Sequence, residues 1–327
     1  MKELIKQLTA VYGPSGREHS VADVIESLVK DKADSVRRDA LGNLICEIKG
    51  TQDKRLMFAA HMDHIGLIVT HAEKEGWLRV HNVGGINLNN SRTRRVKFAN
   101  GVEGVLCEQA LKENEKSALT TLYIDIGAKD EAEALSMVDI GDIAVYAEPA
   151  FDVGKNRVCS PAVDDRCACA LLIKLLNNLP EKRPTIVAVF TSQEEVGLRG
   201  ATVSAYSVQP DEGIALDVTI ASDTPELKIN AVKLGEGPAV KIKDTRSISN
   251  PGVVKRMIDA AKAAGVPYQR EVLPWGGTDA GAMQLSRGGV PVGTLSIPCR
   301  YVHSACEMVD MGDMDKALKL LIEYVRV

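Results

Sequence analysis

Between about residue 68 and residue 155 the chain loses the helical spacing of apolar residues that it shows on both sides, and this interruption constrains the fold more than any other feature. Ahead of it, Leu4, Ile5, Leu8 and Val11 form one helical stripe, and Val21, Val24, Ile25, Leu28 and Val29 form a second. Ser15 and Glu18 are spaced as a capping box for that second helix, and strand-like runs follow at 43–48 and 55–60. Inside the interruption, short β-like runs at 77–80, 95–98, 104–106, 119–126 and 142–146 are separated by Gly, Asn and Lys/Glu turns. After Arg157 the alternation resumes with helix 165–178, strands 184–192 and 213–218, helix 251–264, a strand near 268–273, helix 278–286, strand 290–298 and helix 313–325. Asn250 and Pro251 start the helix at 251, and Gly265 and Pro267 stop it. Helix-separated strands predict an α/β fold with a mostly parallel central sheet and helices on both faces. One domain is thus expected in two parts, 1–67 and 156–327, around a β-rich insert at 68–155.

At 327 residues the chain is a little over two typical domain lengths, and 45% apolar with 26% charged residues is ordinary for a soluble globular protein. A net charge of −4 gives no electrostatic footprint for nucleic acid, and the densest basic cluster, Arg92 to Arg95, reads as a solvated loop. No apolar run approaches the roughly 20 residues that span a bilayer, so no membrane partner is expected. The amino terminus lacks the apolar stretch of a signal peptide, and the seven cysteines include no Cys-x-x-Cys pair, which predicts a cytoplasmic protein. Cys167 and Cys169 read as small buried helix residues rather than ligands. Gly235 and Gly237 precede Pro238 and carry no dinucleotide signal, and both the Gly-x-Ser-x-Gly elbow and the phosphate-binding Gly-x-x-x-x-Gly-Lys-Ser/Thr loop are missing.

The chemistry-bearing residues gather at the ends of predicted elements. His61, the pair Glu194 and Glu195, Asp217 and His303 each follow an apolar strand run, while Asp164 opens a helix. In open α/β sheets, sites form at the carboxyl ends of strands. Taken singly, a Glu-Glu pair is usually a solvated feature and a histidine after a strand a structural residue, but the combination reverses that. Two imidazoles and several carboxylates with no thiolate suit zinc, cobalt or manganese in a hydrolytic role better than a closed structural zinc site. Five ligands serve two ions only if one carboxylate bridges. Asp164 suits the bridge, because Val163-Asp-Asp-Arg166 opens a helix whose Ala168, Leu171, Leu172, Leu175 and Leu176 keep helical spacing.

His61-Met-Asp63, Val163-Asp-Asp-Arg166, Gln193-Glu-Glu-Val-Gly-Leu-Arg-Gly200, Leu216-Asp-Val218, Gly276-Gly-Thr-Asp-Ala-Gly281 and Arg300-Tyr-Val-His-Ser304 stand in an order that resembles the tetrahedral (TET) metalloaminopeptidases, the family of glutamyl and deblocking aminopeptidases. The likeness runs nearly end to end. It implies an exopeptidase with two divalent ions per subunit acting on peptide substrates, a catalytic domain carrying a PDZ-like insert, and a homo-oligomer, often a tetrahedral dodecamer. Residue by residue, it makes His61 and Asp217 ligands of one ion, Glu195 and His303 ligands of the other, Asp164 the bridge and Glu194 the general base. It further implies that Asp63 accepts the other imidazole N–H of His61 and that the Asp164–Asp165 peptide bond is cis. Asp279, within Gly277-Thr-Asp-Ala-Gly281, and Glu307, four residues after His303, are further candidates to line or support the site. One position departs: His64 stands where the family usually has glutamate, which removes a negative charge and adds an imidazole able to donate, accept or ligate.

Two rivals stay on the table. A glycoside hydrolase using Glu194 and Glu195 would need carboxylates flanking a bond about 5–9.5 Å apart, and would leave His61 and His303 idle. A binding protein would capture peptide ends on the insert by strand addition, with structural metals. A complete ligand set plus a base argues against the second.

Overall fold

The computed structural model describes residues 1–326 apart from Lys112, Glu113, Glu115 and Glu226, and only the backbone of Asn89 and Asn90. Helices α1 (Lys2–Thr9) and α2 (His19–Val29) lead into strands β1 (Ser35–Arg38), β2 (Leu44–Ile48) and β3 (Gln52–His61). The interrupting segment supplies β4 (Gly66–Ala72), β5 (Leu78–Val83), α3 (Leu88–Ser91), β6 (Arg94–Lys97), β7 (Glu103–Glu108), β8 (Leu122–Asp125), α4 (Glu131–Met137) and β9 (Ile143–Tyr146). There follow β10 (Phe151–Val153), β11 (Arg157–Ser160), α5 (Val163–Leu176), β12 (Pro184–Thr191), α6 (Arg199–Val208), β13 (Glu212–Ile220) and β14 (Ala239–Lys243). The chain closes with α7 (Pro251–Ala263), β15 (Gln269–Val272), α8 (Asp279–Gln284), β16 (Val292–Arg300), β17 (Glu307–Asp310) and α9 (Met311–Tyr324). No helix among the described residues is long and apolar enough to cross a membrane.

The large sheet runs β1-β2-β12-β3-β13-β16-β17-β11-β10, with β14 joining β16 to β15. Its centre, β12-β3-β13-β16, is parallel, and antiparallel pairs flank it. Successive strand residues serve opposite faces. Leu56, Phe58 and Ala60 pack with residues of α1, α2, α5, α7 and α9, whereas Met57 and Ala59 pack with Ala205 and Val208 of α6 and Ala280 and Met283 of α8. Both faces are therefore covered, as parallel strands require. The interrupting segment closes a separate antiparallel barrel, β4-β5-β8-β7-β6-β9, around Leu67, Val69, Leu78, Val96, Leu106 and Ile124.

Chain order around β3 creates the site. The connection before β12 ends on one side of β3, and the connection after β12 crosses back to β13 on the other. Neighbouring loops thus diverge at the carboxyl end of β3 and leave a crevice there.

Several local expectations fail for physical reasons. The capping box does not form, since Glu18 makes no side-chain cap bond at α2; Ser15 and Glu18 instead reach the site. Helix α4 sits inside the stretch expected to be helix-free; at seven residues, started by the Asp130 carboxylate accepting the Glu133 N–H, it is too short to show a period. Helix α6 was not expected because it buries Gly200, Ala201, Ser204 and Ala205, residues too small to mark an apolar stripe.

Candidate metal centre

His61 ends β3 beside Thr191 of β12. Its Nδ1 donates to the main-chain carbonyl of Asp63 at 3.0 Å, while the Asp63 carboxylate lies farther off at 3.5 Å. The acceptor expected to be a carboxylate is thus mainly a carbonyl, and the tautomer it fixes turns a lone pair on Nε2 toward Asp164 Oδ1 at 3.1 Å and Asp217 Oδ1 at 4.0 Å.

Asp164 stands at the start of α5, where the Asp164–Asp165 peptide bond is cis, as the resemblance implies. Its Oδ2 lies 3.6 Å from His303 Nε2, which is itself 3.2 Å from Glu195 Oε2. One carboxylate therefore faces both histidines, one oxygen to each. Asp217, on β13, also accepts its neighbour Val218's N–H at 2.7 Å. The donor atoms of His61, Asp164 and Glu195 lie within 4.8 Å of one another, and so do those of His61, Asp165 and Asp217.

The Asp63 carboxylate, 3.5 Å from the His61 ring, has closer partners besides. It accepts the N–H groups of Glu194 at 2.9 Å and Glu195 at 3.2 Å, and the Ser15 hydroxyl at 2.6 Å. Glu18 accepts the Gln193 N–H at 2.9 Å. Gln193 and Leu198, on either side of the Glu194–Glu195 turn, hold φ of 54° and 57°, and His303 has 59°, left-handed conformations uncommon for such side chains. Ser15 and Glu18 carry no local signal for this clamp.

Glu307 accepts the Asp164 N–H on one oxygen and the His303 N–H on the other, at 2.8 and 2.7 Å. Asp165 accepts the His61 N–H at 3.2 Å, and Asp279 takes the Thr191 hydroxyl at 2.6 Å, one strand away from His61. His64 stands apart from both donor groups: buried, it donates from Nδ1 to the Ile65 carbonyl at 2.8 Å, with the Arg166 guanidinium nearby. Arg166 is fully buried and donates to the carbonyls of Met62, Leu8, Val11 and Gly13, tying the amino-terminal segment to α5. From the barrel side, a side chain at Gly85 would meet His303 Nδ1 at 2.7 Å, and one at Gly84 would meet Glu195 at 3.2 Å. The two glycines let the barrel's backbone close over the centre.

Burial opposes charge throughout this cluster. It pushes the carboxyls of Glu194, Asp165 and Asp217 well up, and Asp217 adds to the rise at the other two. Burial and Asp164 raise Glu307 to about 8, and burial raises Asp279 to about 6. For the histidines burial acts downward, yet Asp164 and Asp63 hold His61 well above its usual range, and Glu195 and Asp164 carry His303 to about 10. Asp164 Oδ1, Asp165 Oδ1 and Glu195 Oε1 are buried without a hydrogen-bond partner. Surplus negative charge, orphaned carboxylate oxygens and an all-N/O donor set fit divalent cations. His61, Asp164, Glu194, Glu195, Asp217 and His303 all line one cavity of about 650 Å³.

A sequence model of the M42 glutamyl aminopeptidase family matches residues 42–320. A candidate aminopeptidase of Acetivibrio thermocellus is 44% identical over 99% of this chain and 98% of its own length. Among solved structures, the aminopeptidase APDkam598 of the archaeon Desulfurococcus kamchatkensis superposes with a TM-score of 0.95 at 38% identity, covering 99% of this chain and 94% of that one. The Pyrococcus horikoshii TET1 peptidase, which can assemble into a tetrahedron or a large octahedral shell, superposes with a TM-score of 0.89 at 33% identity over 99% of each chain.

Proposed function

This chain belongs to the M42 glutamyl aminopeptidase family and is a peptidase, and from that premise we propose that it removes the N-terminal residue of peptides using two divalent ions and Glu194 as general base. Support comes above all from Asp164, which turns one oxygen toward each histidine and so suits a carboxylate shared by two ions. His61 and Asp217 would hold one ion, Glu195 and His303 the other. Zinc, cobalt and manganese all suit these ligands. When bound, such ions supply Lewis acidity, which makes water a nucleophile near neutral pH and stabilises negative charge on the attacked carbonyl oxygen.

The chain's own groups do the rest. Glu194 takes the proton of the attacking water and returns it to the departing amine. Glu195, 3.2 Å from His303, is committed as a ligand and does not share that duty. Asp63 fixes both, because it grips their two consecutive N–H groups. Surrounding carboxylates suit a substrate's free α-amine, which restricts cleavage to the first residue.

The same reading takes 1–67 and 156–327 as the catalytic domain and 68–155 as its PDZ-like insert, in a cytoplasmic homo-oligomer. The Pyrococcus horikoshii relative, which can assemble into a tetrahedron or a large octahedral shell, supports assembly of copies, and we take the tetrahedral dodecamer as the form expected here. The deciding experiment is mass spectrometry of a peptide incubated with the metal-loaded protein. A ladder shortened one residue at a time from the amino end, abolished by N-acetylation, is the expected result, and internal cleavage would defeat the proposal.

A further inference from the structure

We propose that Cys306 and Cys159 form an oxidation site, at which a low-molecular-weight disulfide cross-links the two thiols and so loosens the hold of Glu307 on Asp164 and His303. Cys159 is buried and Cys306 is partly exposed. Cys306 packs against a small apolar cluster of Cys159, Ala221, Leu234 and Met308, and the two thiols share a hydrogen bond. Burial first, and then Cys306, push the Cys159 thiol up to about 12, so Cys159 keeps its proton and donates it. Attack from solvent therefore begins at Cys306.

Strand register decides what a cross-link would do. Cys159, in β11, stands opposite Met308 of β17, and Cys306 comes two residues before Met308, so the cysteines share a face as diagonal neighbours. Diagonal neighbours stand roughly 7–8 Å apart, whereas a disulfide needs Cα atoms within about 6.8 Å and Cβ atoms within about 4.5 Å. Closing the bond therefore moves one backbone toward the other. Cys159 is held on both sides, opposite Phe151 of β10 and Met308 of β17. Cys306 lies just ahead of β17 and is the freer partner. Its movement carries the next residue, Glu307, whose carboxylate accepts the N–H groups of Asp164 and His303. Oxidation thus acts on the candidate centre without touching a ligand.

The chemistry is thiol–disulfide exchange with a compound of the glutathione disulfide class. The Cys306 thiolate attacks one sulfur of the small disulfide, whose S–S bond breaks, and the other half leaves as a thiolate. Cys159 then gives up its proton and attacks the Cys306 sulfur, expelling the second half. Two protein thiols are oxidised, one small disulfide is reduced to two thiols, and the two protons go to the departing sulfurs.

The test treats metal-loaded protein with oxidised glutathione and reads three things: a peptide map, metal retention against a chelating dye, and turnover of an unblocked peptide. The map should show Cys159 joined to Cys306. Metal affinity should fall about 10–100-fold and turnover on the order of 10²-fold, and reduced glutathione should restore both. Cys306→Ser should match the reduced parent and resist the treatment. A map without the cross-link would overturn the proposal, whatever else is oxidised. So would a cross-linked protein that keeps its metal and turnover, or an equal loss in Cys306→Ser. The map is read on the unmodified chain, so it decides even if the variant does not fold. Only the turnover readout rests on the aminopeptidase reading above, and a reduced protein that cleaves no peptide would overturn that reading instead.

Discussion

Glu307 Oε2 accepts the main-chain N–H of Asp164 at 2.8 Å, across a separation of 143 residues. Its other oxygen holds the N–H of His303, so one buried side chain sets the spacing of two candidate ligands. Glu307→Gln keeps the shape but leaves one N–H facing an NH2 group. Metal affinity should fall about 10–100-fold, as happens when partners of ligands are altered. Chelator competition measures it, and unaltered affinity would reduce Glu307 to packing.

Adjacent carboxylates should behave differently. Glu194→Gln should cost on the order of 10²–10⁴ in turnover with metal content kept, because an amide cannot act as a base. Glu195→Gln should deplete one ion. Elemental analysis beside steady-state kinetics separates the two, and swapped phenotypes would reverse the assignment.

Chelator treatment should abolish activity, and titration with zinc, cobalt or manganese should restore it with a break near two equivalents per chain. Full turnover by the stripped protein would refute metal dependence outright.

Gly85→Ala should act at a distance from the barrel's own core. The added methyl would come within 2.7 Å of His303 Nδ1, and either ring or loop must shift. A misplacement near 1 Å can cost on the order of 10²-fold in rate. The expected result is weakened metal retention and turnover with little change in the unfolding midpoint; a parent-like enzyme would mean that the loop moves freely.

His64 should govern acid sensitivity. Burial and then Arg166 push its imidazole down to about 3. Its folded pKa lies below the unfolded value near 6.5, so the unfolded chain takes up the proton first, and stability present above about pH 6.5 is lost as the pH falls toward 3. The slope is about 1.4 kcal/mol per pH unit. In His64→Gln this contribution vanishes, so the difference in urea-unfolding free energy between variant and parent should change by ~2 kcal/mol from pH 6.5 to 5. A constant difference would show that His64 is not held neutral.

The candidate site residues are legible because strand ends display them: His61, Asp217 and the Glu194–Glu195 pair follow apolar runs that mark the strands of the sheet. What holds them is not. Ser15 and Glu18 have the spacing of a capping box, yet they act on Asp63 and Gln193, 48 and 175 residues from them. A local pattern cannot announce a distant acceptor, and the carboxylate that draws Ser15 away from α2 becomes its neighbour only in the folded chain. Strand β14 is hidden in a similar way, since its two lysines disguise a segment whose buried charge, on Lys241, is balanced by Asp244 and by Glu271 of β15.

The barrel's strands all fall between Gly66 and Tyr146, whereas the candidate centre draws on residues from His61 to His303. During synthesis, every strand of the barrel is therefore made well before the last residue of the candidate centre, although Ala305, which the barrel's core also buries, comes later still. If the proposed ligands are right, activity must wait until the loop after β16 brings His303 to Glu195. Chain order alone would then keep a growing peptidase latent among other unfinished chains.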